Sequence, residues 1–196
     1  ISHRLVTMMN GAISLKSDLG SGTSFTVTIP GVKYLEDYSS PDEDKKIDPA
    51  LVEFKKATIL IADNEDFNRK LIRDFLAGTK LEIIESRDGI EALEKIRKIL
   101  PDIVISDIKM RGLSGFELLT KLKSDERTRK LPVIAYSASV MKEEQEKILR
   151  KEFSALLVKP VSRQALFNEL AKFLPYRNSD GKMKDPEENK TSGLQK

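Results

Sequence analysis

The sequence predicts an α/β domain built on an open parallel sheet, preceded by a fragment of an α+β domain. Three observations carry that prediction. Five short apolar runs lie at Thr58–Ala62, Leu81–Glu85, Asp102–Ser106, Val133–Tyr136 and Ala155–Val158. They lack strict apolar/polar alternation, as expected when helices cover both faces of a parallel sheet. Segments of helical period separate them, so βα units repeat over ~120 residues with right-handed crossovers.

Each helical segment shows a stripe. The first is Phe67, Leu71, Phe75 and Leu76, and the second Ile90, Leu93, Ile96 and Leu100. The third is Phe116, Leu119 and Leu122, the fourth Met141, Ile148 and Leu149, and the last Leu166, Leu170, Phe173 and Leu174. All of these read as core. The charged stretch Lys142 to Lys151 reads as the solvated face of the fourth helix.

Texture divides the chain into residues 1–30, a linker 31–56, the α/β domain 57–174, and a polar tail 175–196 read as disordered. In the first part, Arg4 to Asn10 suits a helix stopped by Gly11. Ala12 to Lys16 and Thr23 to Ile29 suit strands joined by a loop at Asp18-Leu19-Gly20-Ser21-Gly22. No helix follows Gly20-Ser21-Gly22, so it reads as a hairpin turn and not a phosphate cradle. One helix and one hairpin bury little core, so this part reads as the end of a larger domain. The chain opens on Ile1 and its first Met is Met8, from which an upstream beginning is expected.

Composition narrows the function classes. The 196 residues contain no Cys and one His, which excludes thiol catalysis and a His-rich metal site. A net charge of +3 is too mild to argue for nucleic acid. No apolar run is long enough to span a bilayer, so no direct membrane contact is expected.

In open α/β sheets, ligands bind outside the carboxyl ends of the strands. Asp63, Asn64, Glu65 and Asp66 follow the first run, and Asp107 follows the third. Ser137 ends the fourth, and Lys159-Pro160 ends the fifth. This set suits phosphoryl transfer: a carboxylate attacks phosphorus, a lysine neutralises phosphoryl oxygens, and a hydroxyl donates to another. Clustered carboxylates invite a hard cation such as Mg²⁺.

The stretch Ile59-Leu60-Ile61-Ala62-Asp63-Asn64-Glu65-Asp66-Phe67-Asn68-Arg69 resembles the first strand and acidic turn of response-regulator receiver domains. Pro101–Gly115, with Asp107-Ile108-Lys109-Met110, resembles their phosphoacceptor strand and loop, Pro132–Ala138 their switch strand, and Lys159-Pro160 their Lys-Pro pair. The resemblance implies a flavodoxin-like sheet of order 2-1-3-4-5. It implies that Asp107 accepts phosphate from a phosphohistidine, with Ser137 and Lys159 on the phosphoryl group. Asp63, Asn64, Asp107 and the Lys109 carbonyl would hold Mg²⁺, and Lys159-Pro160 would be a cis peptide. Partners so implied are a phosphohistidine donor domain, of the same or another chain, and a histidine phosphotransfer protein.

Two departures stand out. Asn64 replaces the family's main metal-binding Asp, which predicts weaker Mg²⁺ binding; Asp66 and Glu65 are alternatives for restoring the charge, against their reading as helix-start acids. Leu156 stands where an aromatic switch residue is common. Asn64 also motivates an alternative, a pseudo-receiver that binds partners without phosphorylation. An Asp-nucleophile phosphatase of the haloacid-dehalogenase type would need Asp where Lys109 stands, and a flavin carrier a Ser/Thr/Gly-rich loop where the acidic turn stands.

Ile1–Pro30, with Arg4-Leu5-Val6, Met9-Asn10-Gly11, Gly20-Ser21-Gly22-Thr23-Ser24-Phe25 and Pro30, resembles the end of the histidine-kinase ATP-binding domain. The parent is then expected to be a hybrid sensor kinase anchored in the inner membrane, with this part cytoplasmic. The ATP loops are absent, and His3 lacks the Glu/Asp and Pro that follow a kinase phosphoacceptor His. Receiver phosphotransfer and autodephosphorylation are the activities left to this stretch.

Overall fold

A computed structural model describes residues 2–18, 20, 22–31, 47–138, 152–178 and 180–186. The fourth predicted helix lies outside the described residues. The chain divides into two compact units, Ile1–Asp44 and Lys45–Lys196.

In the first unit, helix α1 (Ser2–Met8) precedes strands β1 (Ala12–Asp18) and β2 (Gly22–Thr28), which pair antiparallel. Ile13 opposes Val27 and Leu15 opposes Phe25, so apolar residues share one hairpin face. That face is uncovered: Leu15, Phe25 and Val27 are all exposed, and only Val6 of α1 is buried.

The second unit holds β4 (Ala57–Ala62), β5 (Leu81–Ser86), β6 (Ile103–Asp107), β7 (Val133–Ser137) and β8 (Ala155–Val158). All neighbours are parallel and the order is β5-β4-β6-β7-β8, the predicted 2-1-3-4-5. Strands β6 and β7 are buried at every position, which is why their sequences do not alternate. The side chains still alternate between two cores. Ile59, Ile61, Ile103 and Ile105 face the core with α2 (Asp66–Leu76) and α5 (Arg163–Leu170). Leu60, Ala62 and Val104 face the core with α3 (Gly89–Ile99) and α4 (Gly115–Ser124).

Helices α3, α4 and α5 start on polar caps. Asp88 accepts from the Ile90 and Glu91 amides, and Ser162 from the Ala165 amide. Ser114 and Glu117 form a reciprocal capping box on α4. Part of the predicted stripes is not core: Phe67, Ile90 and Leu100 are exposed. On α2 the fully buried face is Arg69, Ile72 and Leu76, rotated from the predicted stripe, with Leu71 and Phe75 half-buried at its margin.

Parts of the expected linker and disordered tail are ordered. Strand β3 (Glu53–Phe54) pairs antiparallel with β9 (Tyr176–Arg177), which pairs with β10 (Met183–Lys184). The cause is aromatic burial. Phe54 packs 5.5 Å from Phe167 and 6.1 Å from Tyr176, between ring centroids. Ile47 joins this face through hydrogen bonds with Gln164 and Asn168 of α5.

Candidate functional site

Four strand ends build the site. Asp63 directly follows β4, Asp107 and Ser137 are the last residues of β6 and β7, and Lys159 directly follows β8. The Lys159 amide donates to the Ser137 carbonyl at 2.7 Å, and the Lys159–Pro160 bond is cis, as expected. Gly115 lets the loop after β6 fold beneath the site, since a Cβ there would lie 2.4 Å from the Asp107 carbonyl oxygen.

Lys159 joins the two acids. Its Nζ lies 2.7 Å from Asp63 Oδ2 and 3.2 Å from Asp107 Oδ2. Asp63 is fully buried and Asp107 nearly so. Such carboxylates persist only when paired and hydrogen-bonded. Asp63 Oδ1 also accepts from the Glu65 amide at 2.8 Å, and Asp107 Oδ1 from the Lys109 amide at 3.3 Å. Burial raises the Asp107 carboxyl above the usual carboxylate range; Lys159 opposes the rise and Asp63 adds to it.

Tyr136 lies beneath the lysine, with Lys159 Nζ 4.5 Å from its ring centroid. Burial, and then the negative charge of Asp63, push its phenol up to about 12, so it stays protonated. Ser137 is buried one register step beyond the Asp107–Tyr136 pair. The amide of Asn64 turns to Glu65, donating to Oε1 at 3.0 Å.

Three contributors escaped the sequence reading: Tyr136, Asn68 and Arg69. Asn68 Nδ2 donates to both Asp63 oxygens, at 3.2 and 3.0 Å. Buried Arg69 donates to the Asp63 carbonyl at 2.6 Å, to Asp66 at 2.7 Å and to Glu85 at 3.3 Å. Asp66 is thereby committed to Arg69. A sequence signal existed for Arg69, since it shares the spacing of Ile72 and Leu76 on the buried face.

Chemically, the site offers two buried carboxylates and one ammonium held between them. Among the described residues no group of three or more acidic, His or Cys side chains could hold a metal. Two carboxylates suffice for Mg²⁺, which keeps most of its waters and binds through one or two of them.

The chain belongs to the response regulator receiver domain family, whose pattern it matches over residues 59–171. It is 36% identical over 119 residues to the polar-differentiation response regulator DivK of Brucella ovis, covering 61% of this chain and 96% of that one. It is 33% identical over 171 residues to the sensor protein EvgS of Escherichia coli K12. That match covers 87% of this chain and only 14% of EvgS. Among solved structures, the chemotaxis response regulator CheY4 of Vibrio cholerae matches with a TM-score of 0.57 and 25% identity, over 61% of this chain and all of CheY4. No helix among the described residues is long and apolar enough to cross a membrane.

Proposed function

We propose that Asp107 is the phosphoacceptor of a phosphorelay. Lys159 supports this most directly: one ammonium spans Asp107 and Asp63 at the carboxyl edge of the sheet. An Asp107 oxygen attacks phosphorus of a phosphohistidine, the P–N bond breaks as the P–O bond forms, and the imidazole leaves with a proton. Lys159 stays with the transferred oxygens, and the Ser137 hydroxyl donates to another. Mg²⁺ would be held by Asp63, Asp107 and the Lys109 carbonyl, with Asn64 a neutral neighbour, and would supply charge neutralisation between nucleophile and phosphoryl group.

Residues 1–30 suit the end of a larger kinase domain, because Leu15, Phe25 and Val27 on their apolar hairpin face are exposed. On this reading the donor is a phosphohistidine of the parent or of another chain, a histidine phosphotransfer protein is a partner, and this part of a membrane-anchored sensor lies in the cytoplasm. A phosphorylation-independent module finds no support, since acceptor, second acid and lysine are all in contact.

Treating the chain with phosphoramidate and Mg²⁺ tests the reading by intact mass. The wild type should gain one phosphoryl group and Asp107→Ala none. No gain by the wild type, or equal gain by both, would overturn it.

A further inference from the structure

Asn68, in the first turn of α2, reaches back to the Asp63 carboxylate. Asp63 is fully buried, and its carboxylate accepts four contacts. The Glu65 amide reaches Oδ1 at 2.8 Å and Lys159 Nζ reaches Oδ2 at 2.7 Å. Asn68 Nδ2 lies across both oxygens, at 3.2 and 3.0 Å. A carboxylate has about four lone-pair sites. The Asp63 carboxylate is therefore fully engaged, and a cation that ligates it must displace a donor.

The three donors differ in how readily they leave. The Glu65 amide is backbone at the start of α2, and moving it would move the helix. Lys159 carries charge and also holds Asp107, 3.2 Å away. Releasing it would leave two buried carboxylates without their cation. Asn68 is neutral, rests on one half-buried side chain, and makes the two longest contacts of the four. Arg69 meanwhile fixes the backbone of the same turn through the Asp63 carbonyl, so the carboxylate keeps its place when Asn68 lets go.

We infer that Asn68 is a positioning residue that competes with the divalent cation for Asp63 and so sets the cation affinity of the site. It holds Asp63 in place in the metal-free protein and yields an oxygen when the cation enters. Together with the neutral Asn64, it makes this receiver demand more Mg²⁺ before Asp107 can react. The inference rests on the phosphoacceptor reading.

The test is calorimetric titration of the full chain with Mg²⁺, comparing wild type with Asn68→Leu, which keeps the branching at Cγ and removes the donor. Losing one hydrogen bond to a charged group predicts Mg²⁺ binding about tenfold tighter in the variant. Phosphorylation by phosphoramidate should then saturate at correspondingly lower Mg²⁺. A merely structural Asn68 would lower the melting temperature without tightening Mg²⁺. Unchanged or weaker binding in the folded variant overturns the inference. Should Asn68→Leu not fold, Asn68→Ala decides it by the same criterion. If the wild type takes up neither Mg²⁺ nor a phosphoryl group, the phosphoacceptor reading falls as well; if it takes up both and only the tightening is missing, Asn68 alone was misjudged.

Discussion

The two ends of the five-stranded sheet solve opposite problems. At the carboxyl ends of β4 and β6, two buried carboxylates and one lysine sit in contact. Where the chain enters β4 and leaves α5, Phe54, Phe167 and Tyr176 form an aromatic cluster closed by β3, β9 and β10. Burying charge is unfavourable unless every charge is matched, while burying aromatic area is favourable by itself. The difference separates two tasks within one fold: the aromatic end supplies stability, and the charged end keeps two buried acids matched by one lysine.

Removing the shared cation should have the largest effect. Lys159→Met leaves two buried carboxylates facing each other, which should destabilise the domain by about 3–5 kcal/mol at neutral pH. Urea unfolding measures this, and a loss under about 1 kcal/mol would show that the pair is solvated and not matched by Lys159. Phosphoryl uptake should fall to background in the same variant.

At the other end, Phe54→Ala should also cost about 3–5 kcal/mol, the range for a buried aromatic truncated in a packed core. Phosphoryl uptake by the remaining folded protein should be unaffected. A variant with full stability would mean that β3 and β9 are not part of the folded unit.

The smallest effect is a matter of pH. Asp107 has its carboxyl raised in the fold, chiefly by burial. A raised acid favours the folded state while protonated. Its penalty is therefore absent at acid pH and grows as pH rises through the raised value. Asp107→Asn should accordingly stabilise the metal-free protein at neutral pH, and the gain should vanish on acidification. A gain independent of pH would show that Asp107 is not held above the ordinary range.

The same contrast explains what the sequence revealed. Asp63, Asp107, Ser137 and Lys159 were legible because each is a polar residue closing an apolar run, and the sheet topology brings such ends together. The sheet of β3, β9 and β10 was not legible. Strands of two residues carry no periodicity, and Glu53 pairs with Arg177 far along the chain. Phe67 and Ile90 were read as core because helical spacing alone does not say which stripe faces the sheet; a buried arginine, Arg69, occupies part of the face that does. Asn68 read as an ordinary helix residue, and only the turn between β4 and α2 brings its amide onto Asp63.

The most direct test of the account is to locate the transferred group. After phosphoramidate treatment in Mg²⁺, borohydride reduction converts an aspartyl phosphate to an alcohol, and fragment mass mapping reads its position. The account predicts reduction at residue 107 alone. Reduction at Asp63 or Glu65, or a phosphoryl group that resists borohydride and maps to the Ser137 hydroxyl, would contradict it.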